Sequence, residues 1–458
     1  ARPNLERALR SIKPVWNGSR RRYFNKYLVE AVAWLELANT GLRSDVPGAV
    51  LANPLQARAA AARLVNQQIG SPGFGFRPRG TGSERTLILS DLPYNPAAYQ
   101  GLSLGMLGRA ITLLGRNASA HAHMVLREVA NASWELTGPD GDLAYYGRSQ
   151  EQAWALSLTA YGADIAARGA SAEQGHRYRA LASRAMDHLK EAYPVGPQGL
   201  WITPALAQDL DAGRHGLDRY ADSVAYTGLS LVATDWAASS QVITSVGSIA
   251  ADSRSANVVG QDVSRIALVR TPSLWFAVKQ ARSDKIDLRY DFGLVAMKAL
   301  AADRNWSDVV PARPMVEGHP DSAGPVLFSS RGPAYATGRR IVAGRSGHVR
   351  ITGAFATASG RRVRGASFRF DPSGDCVTLS FGMRRGEHVE YSAFVRRLAG
   401  ASAAGVGDGR QRVAISPAAA AYRVDKHRYS SGSDAVLRRV RFEFHGAGGV
   451  HISTCSAR

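Results

Sequence analysis

The apolar repeat changes period once along the chain, near residue 240, and this change limits the possible folds more than any motif does. Before it, apolar residues recur at helical spacing. Phe24, Leu28, Val32 and Leu35 fall on one helix face, as do Leu104, Leu107, Ile111 and Leu114, and Trp154, Leu158, Tyr161 and Ile165. The 97–114 segment adds Leu102, Met106 and Leu113, so it is apolar on several sides and predicted to be packed all round. Further helices are predicted near 54–68, 118–136, 172–192 and 216–237. Gly and Pro mark the breaks, at Ser71-Pro72-Gly73, Gly138-Pro139-Asp140-Gly141 and Pro194 to Gly199. The pattern is one of successive helical hairpins.

Beyond it, apolar residues alternate. Leu274, Phe276 and Val278 are predicted to face one way. Val377, Leu379 and Phe381 alternate with Thr378 and Ser380, and Val440, Phe442 and Phe444 alternate with Arg439, Arg441 and Glu443. These are the marks of half-buried antiparallel strands with Arg on their solvent faces. Asp371-Pro372-Ser373-Gly374-Asp375 is a turn between two of them. The expected fold class is α+β: an N-terminal (α/α) helical-hairpin toroid over 1–240, a linker over 241–265, and an antiparallel β-sandwich over 266–458.

Charge follows the same division. The 458 residues carry a formal net charge of +20. Residues 1–250 hold 25 Lys+Arg against 20 Asp+Glu, a net of +5, which leaves +15 for the rest. Six of eight Trp and 11 of 16 Tyr lie in the first 250 residues. A basic β part favours an acidic partner, although Arg-rich codon usage accounts for the count equally well. No helix–turn–helix, RRM-like or zinc-finger pattern accompanies it, so no nucleic-acid partner is expected. No apolar run approaches the ~18 residues of a membrane helix, so no membrane insertion is expected. A monomer is expected.

Cys376 and Cys455 allow one pairing, across 79 residues; two free buried thiols are the other reading. An exported, extracellular protein is the expectation, with Ala1 as a mature N-terminus.

No Walker loop, CxxC, HExxH or clear GxSxG is present. The histidines are scattered in sequence. Only His121 and His123 lie close together, and two apart on a helix points them away from each other, so no metal site is expected there.

Polar and aromatic residues gather where three helical patterns start. The first island is Asp91-Leu92-Pro93-Tyr94-Asn95-Pro96 with Tyr99 and Gln100. The second runs from Asp140 through Tyr145, Tyr146, Arg148 and Gln150 to Glu151. The third runs from Arg214 and His215 through Arg219 and Tyr220 to Asp222, followed by Tyr226. At the rim of a helical toroid, Tyr and Trp can stack on sugar rings, while Asn, Gln and Arg bind hydroxyls and carboxylates. Each residue also has a plainer reading as a turn former, cap or core side chain.

A helical-hairpin part followed by an antiparallel β part resembles the toroid-type polysaccharide lyases: the chondroitin/hyaluronate, heparinase and alginate lyase families. The loop from Asp140-Gly141-Asp142 to Gln150 is similar to their Asp-Gly loop, and Asp218-Arg219-Tyr220 through Tyr226-Thr227-Gly228 to their Tyr-rich helix. The chain departs from them in lacking an Asn-Asn-His or Asn-Trp-Trp signature and a His in the Asp-Gly loop. The resemblance implies β-elimination on a uronic-acid polysaccharide, with no metal or organic cofactor. Tyr146 or Tyr220 would be acid/base and His215 the second proton carrier. Asn95, Gln150 and Arg148 would neutralise the uronate carboxylate, Arg148 and Arg219 would lower the pKa of the neighbouring tyrosines, and Tyr99, Tyr145 and Tyr226 would contact sugar.

Two alternatives stand beside it. A glycoside hydrolase on the same toroid would need a carboxylate pair, for which Asp142, Glu151 and Asp222 are available. A non-catalytic polyanion-binding protein would bind in a salt-sensitive way without turnover.

Overall fold

The structure, a computed structural model, describes residues 2–13, 24–70, 78–89, 97–147, 149–193, 195–196, 199–200, 202–207, 224–240, 255–260, 265–280, 292–314 and 324–457. Its helices are α1 (Arg2–Arg10), α2 (Phe24–Asn39), α3 (Pro54–Arg63), α4 (Ala97–Leu114), α5 (Ala120–Leu136), α6 (Ala153–Arg168), α7 (Ala172–Ala192) and α8 (Val224–Ser239). A π turn over Leu64–Gln68 continues α3. Local chemistry sets several of the starts. Pro54 follows the Asn53 cap of α3, Ser119 caps α5 by accepting from the Ala122 amide, and Ser171 caps α7 by accepting from Gln174.

The even-numbered helices run parallel. Going along α4, Gly101 lies against Ala155 and Thr159 of α6, Gly105 against Leu158, and Gly108 against Gly162 and Ile165. A Cβ on Gly105 would sit 2.6 Å from Leu158, and one on Gly162 would sit 2.5 Å from the Leu104 carbonyl, so the helices approach only because these residues are glycine. α8 follows α6 in the same sense: Trp154 meets Tyr226, Ser157 meets Thr234 and Tyr161 meets Trp236. Arg109 of α4 reaches side chains of α2 and α8. Its Nε donates to Glu36 of α2 at 2.7 Å, and its guanidinium lies 4.8 Å from the Trp236 ring of α8. This row is the inner wall of a helical toroid, and the antiparallel helices α3, α5 and α7 connect its members. The N-terminal ends of α4, α6 and α8 therefore share one mouth.

A two-stranded pair, β1 (Val195–Gly196) and β2 (Gly199–Leu200), follows α7. The first large sheet is antiparallel in the order β3 (Ser255–Val259), β4 (Ile266–Arg270), β5 (Leu274–Lys279), β6 (Gly293–Leu300), β7 (Trp306–Asp308). The second has ten strands: β8 (Val326–Ser329), β9 (Gly332–Ala343), β10 (Val349–Thr357), β11 (Arg362–Ser373), β12 (Cys376–Val395), β13 (Ala399–Ser402), β14 (Gly405–Gly407), β15 (Gln411–Ser416), β16 (Ala421–Tyr429) and β17 (Leu437–Ser456). β12 pairs with β11 near its start and with β8 further along, which closes β8–β12 into a ring.

The two sheets share a core of Val269, Phe276, Val278 and Met297 with Ile351, Phe355, Phe368, Phe381 and Phe442. This is the β-sandwich expected from the alternating pattern. The five-stranded sheet differs from expectation in one respect. Its central strands β4, β5 and β6 are buried on both faces, because Leu268, Trp275, Ala277 and Val295 pack against Leu136, Tyr145 and Tyr146 of the helical part. It is the middle of three layers, so alternation in β5 separates two cores rather than core from solvent. The segment read as a linker also supplies β3, which pairs with β4 from Ser255 to Val259.

Cys376 and Cys455 are disulfide-bonded and lie opposite each other on β12 and β17. Arg439, expected on a solvent face, is buried. Its Nε donates to Asp425 at 2.5 Å and its guanidinium lies 5.3 Å from the Tyr429 ring, so its charge is paired. No described helix is long and apolar enough to cross a membrane.

Candidate active site

The loop from Asp140 to Gln152 links α5 to α6 and divides into two halves with different surroundings. The first half turns toward the five-stranded sheet. Lys298 sits in the apolar strand Gly293–Leu300 and is fully buried. Its Nζ donates to Asp140 Oδ2 at 2.6 Å, Asp142 Oδ2 at 3.2 Å and Asp308 Oδ1 at 2.6 Å. His188 Nδ1 lies 3.8 Å from Asp140 Oδ2. Burial alone would discharge Lys298, but the three aspartates reverse that and hold its ammonium charged, well above the usual lysine value.

Glu151 is drawn into the same group. Burial, then the nearby Asp142 and Asp308, push its carboxyl well above the usual range. Burial also raises Asp142, and Lys298 opposes that shift. Glu151 and Ser149 both have positive φ, 52° and 61°. Such residues persist only where surrounding contacts over-determine them. Here the Glu151 amide donates to the Ala144 carbonyl, and Gly432 from the far sheet presses on Gln150 and Glu151, leaving no room for a Cβ of its own.

The second half of the loop lies at the starts of α4 and α6, where Ser149, Gln150, Glu151 and Gln152 are buried. Ser149 Oγ donates to the Tyr99 hydroxyl at 3.3 Å. Tyr99, Trp154 and Tyr226 stand at the starts of α4, α6 and α8. Their ring centroids are 5.7 Å apart from Tyr99 to Trp154 and 6.0 Å from Trp154 to Tyr226. Trp154 is fully buried, and its indole donates to Gln152 Oε1 at 2.8 Å. Tyr226 is only half-buried, so it is the member of the row that reaches solvent. Three helix N-termini beside an aromatic row suit a ligand that is both anionic and flat-faced.

The residues singled out in the sequence fall into three sets. Tyr99 and Tyr226 come together through Trp154, which the sequence pattern places only on a helix face. Tyr145, Tyr146 and Gln150 are buried. Tyr145 is not a sugar platform: its hydroxyl donates to the Leu136 carbonyl at 2.8 Å, its ring meets Trp275 edge-on at 5.3 Å, and burial raises its pKa well above 10. Tyr146 lies in the core between helices and sheet, with Lys279 Nζ 5.7 Å from its ring centre. Gln150 lies under Gly432. Asn95, Arg148, His215, Arg219 and Tyr220 lie outside the described residues.

Sequence reading misses Lys298, Asp308 and the bond from Ser149 to Tyr99. Lys298 does carry a signal: a lone lysine in the run Gly-Leu-Val-Ala-Met-Lys-Ala-Leu needs buried carboxylates somewhere in the fold.

No family model matches this chain, and no curated protein matches it. Among solved structures, it is similar to a point mutant of the Streptomyces coelicolor A3 chondroitin AC lyase at 13% identity and a TM-score of 0.47. That match covers 95% of this chain and 62% of the other. It is also similar to a chondroitinase AC lyase at 8% identity and a TM-score of 0.33, covering 95% and 68%. The chain thus spans about two thirds of the length of these two enzymes.

Proposed function

We propose that this chain is a secreted polysaccharide lyase that cleaves a uronate-containing polymer by β-elimination at the toroid mouth. The observation that carries the reading is the Tyr99–Trp154–Tyr226 row at the aligned N-termini of three parallel helices. Tyr226 offers its ring face to a sugar, backed by the buried Trp154 and Tyr99, and the helix ends offer partial positive charge to its carboxylate. The basic β part supplies long-range attraction for a polyanion. The disulfide suits an oxidising compartment.

In β-elimination the C5 proton becomes removable once the adjacent carboxylate is neutralised, because charge develops there in the transition state. Asn95 and Arg148 are assigned that task. Burial of Tyr146 and Tyr145 turns the acid/base role to Tyr220, with His215 as the second proton carrier and Arg219 beside Tyr220 in sequence to lower its pKa. A hydrolase using Asp142 and Glu151 is disfavoured, since both are buried and Asp142 is already bonded to Lys298.

The test incubates purified protein with a panel of uronate polymers, chondroitin among them. A lyase yields an unsaturated product that absorbs in the ultraviolet. New reducing ends without absorbance would mean a hydrolase, and no product from any polymer would overturn both. Tyr220→Phe should lower turnover by about 10²–10⁴-fold with unchanged thermal stability.

A further inference from the structure

We propose that His388, Glu443 and His445 form a binding site for a divalent metal ion of the zinc class, on the outer face of the ten-stranded sheet. In sequence His388 and His445 are far apart, and no motif joins them. The β12–β17 register sets them directly opposite each other, with their rings stacked 4.4 Å apart and 17° from parallel. Glu443 is two residues before His445 on β17, so its side chain leaves the same face. One ligand atom from each of the three lies within 4.8 Å of the other two. That is about 1–1.5 Å wider than donors sharing one zinc at 2.0–2.2 Å, a gap that side-chain rotation closes.

Two features prepare the site. Phe328 of β8 is the other cross-strand neighbour of His388, and its ring stacks on the imidazole at 4.9 Å. His388 is thus held between two rings, and its Nε2 is buried with no hydrogen-bond partner. The nearest carboxylate oxygen, Glu443 Oε2, is 3.7 Å away, too long for a hydrogen bond. A metal ion between them would satisfy both atoms. His445 is exposed and supplies the mobile ligand. The second feature is local charge. Glu390, opposite Glu443, is engaged by Arg423 at 3.1 Å and Arg441 at 3.6 Å. Arg423 approaches the other oxygen of Glu443 only to 3.9 Å, which leaves Oε2 directed at His388.

The buried trio Asp142, Glu151 and His188 shows a comparable spacing, but there the Lys298 ammonium already occupies the position of the cation. It carries no such proposal. Two imidazoles and one carboxylate select zinc-like ions over magnesium or calcium, and the remaining positions stay open to water. The ion would also have a mechanical effect. The β12–β17 ladder is interrupted by a bulge between Met383 and Glu387. The disulfide joins the strands on one side of the bulge, and the metal would join them on the other.

The test titrates zinc into the chelator-treated protein by calorimetry, and cobalt into a second sample monitored by its visible absorption. We expect one equivalent of zinc, a raised unfolding midpoint, and a cobalt band. His445→Ala at an exposed position and Glu443→Gln, which keeps the side-chain shape, should each weaken zinc binding at least tenfold and abolish the zinc-dependent rise in midpoint. His188→Gln, from the buried trio, should leave zinc affinity unchanged. Absence of zinc uptake, or uptake that His445→Ala and Glu443→Gln do not weaken, would overturn the proposal. These outcomes do not depend on lyase activity.

Discussion

The two halves of the Asp140–Gln152 loop are both largely buried and meet different neighbours. Asp140 and Asp142 turn into a dry junction and share one ammonium from a strand 156 residues or more away in sequence. Ser149 and Gln152 turn to the mouth and hold the hydroxyl of Tyr99 and the indole of Trp154. A single polar island thus fixes the β part to the helices with one half and holds the aromatic side chains at the starts of α4 and α6 with the other. Enrichment in polar residues does not by itself mark a site: the first half is polar because Lys298 must be neutralised. Glu151 lies at the divide, its carboxyl in the junction and its backbone leading into α6.

That comparison can be broken experimentally. The largest effect is expected for Lys298→Met, which leaves Asp140, Asp142 and Asp308 facing one another without a cation. Denaturant unfolding should show a loss of about 3–5 kcal/mol. Unchanged stability would mean that the junction is held by its apolar contacts alone.

Glu151→Gln comes next and tests the divide. The folded-state pKa of Glu151 is raised, so the proton is bound more tightly folded than unfolded. Wild-type stability is therefore full below the ordinary glutamate pKa and falls as pH rises toward the folded value. Glutamine should flatten that fall in a series of unfolding curves from about pH 4 to about pH 8; an unchanged slope would place the ionising group elsewhere. The smallest effect is expected for Tyr226→Ala at the mouth. Losing one half-exposed ring should cost about 1 kcal/mol of ligand binding, seen as a several-fold rise in KM with kcat and unfolding midpoint nearly constant.

Much of the architecture is legible because it is written in local periods. The helix over Ala97–Leu114 appears where the apolar pattern puts it, and its burial on nearly all sides follows from the absence of a polar face. Val377, Leu379, Phe381, Val440, Phe442 and Phe444 do point into one core. The candidate site is less legible. Tyr145 and Tyr226 look equivalent in sequence, yet one donates its hydroxyl inside the junction and the other reaches solvent. Nothing within a few residues of either distinguishes them, since their neighbours come from other elements.

The sequence by itself determined the change from helical to strand period, the positions of the helices, and the concentration of positive charge on the β part. Each depends on residues near one another in the chain. Only the tertiary structure decided that the centre of the five-stranded sheet is buried on both faces, that Lys298 closes the Asp-Gly loop, and that His388 meets His445. Those outcomes depend on register and layer order. They are fixed by the burial of apolar faces over the whole fold, and a polar side chain's partner follows from that packing rather than from its own neighbourhood.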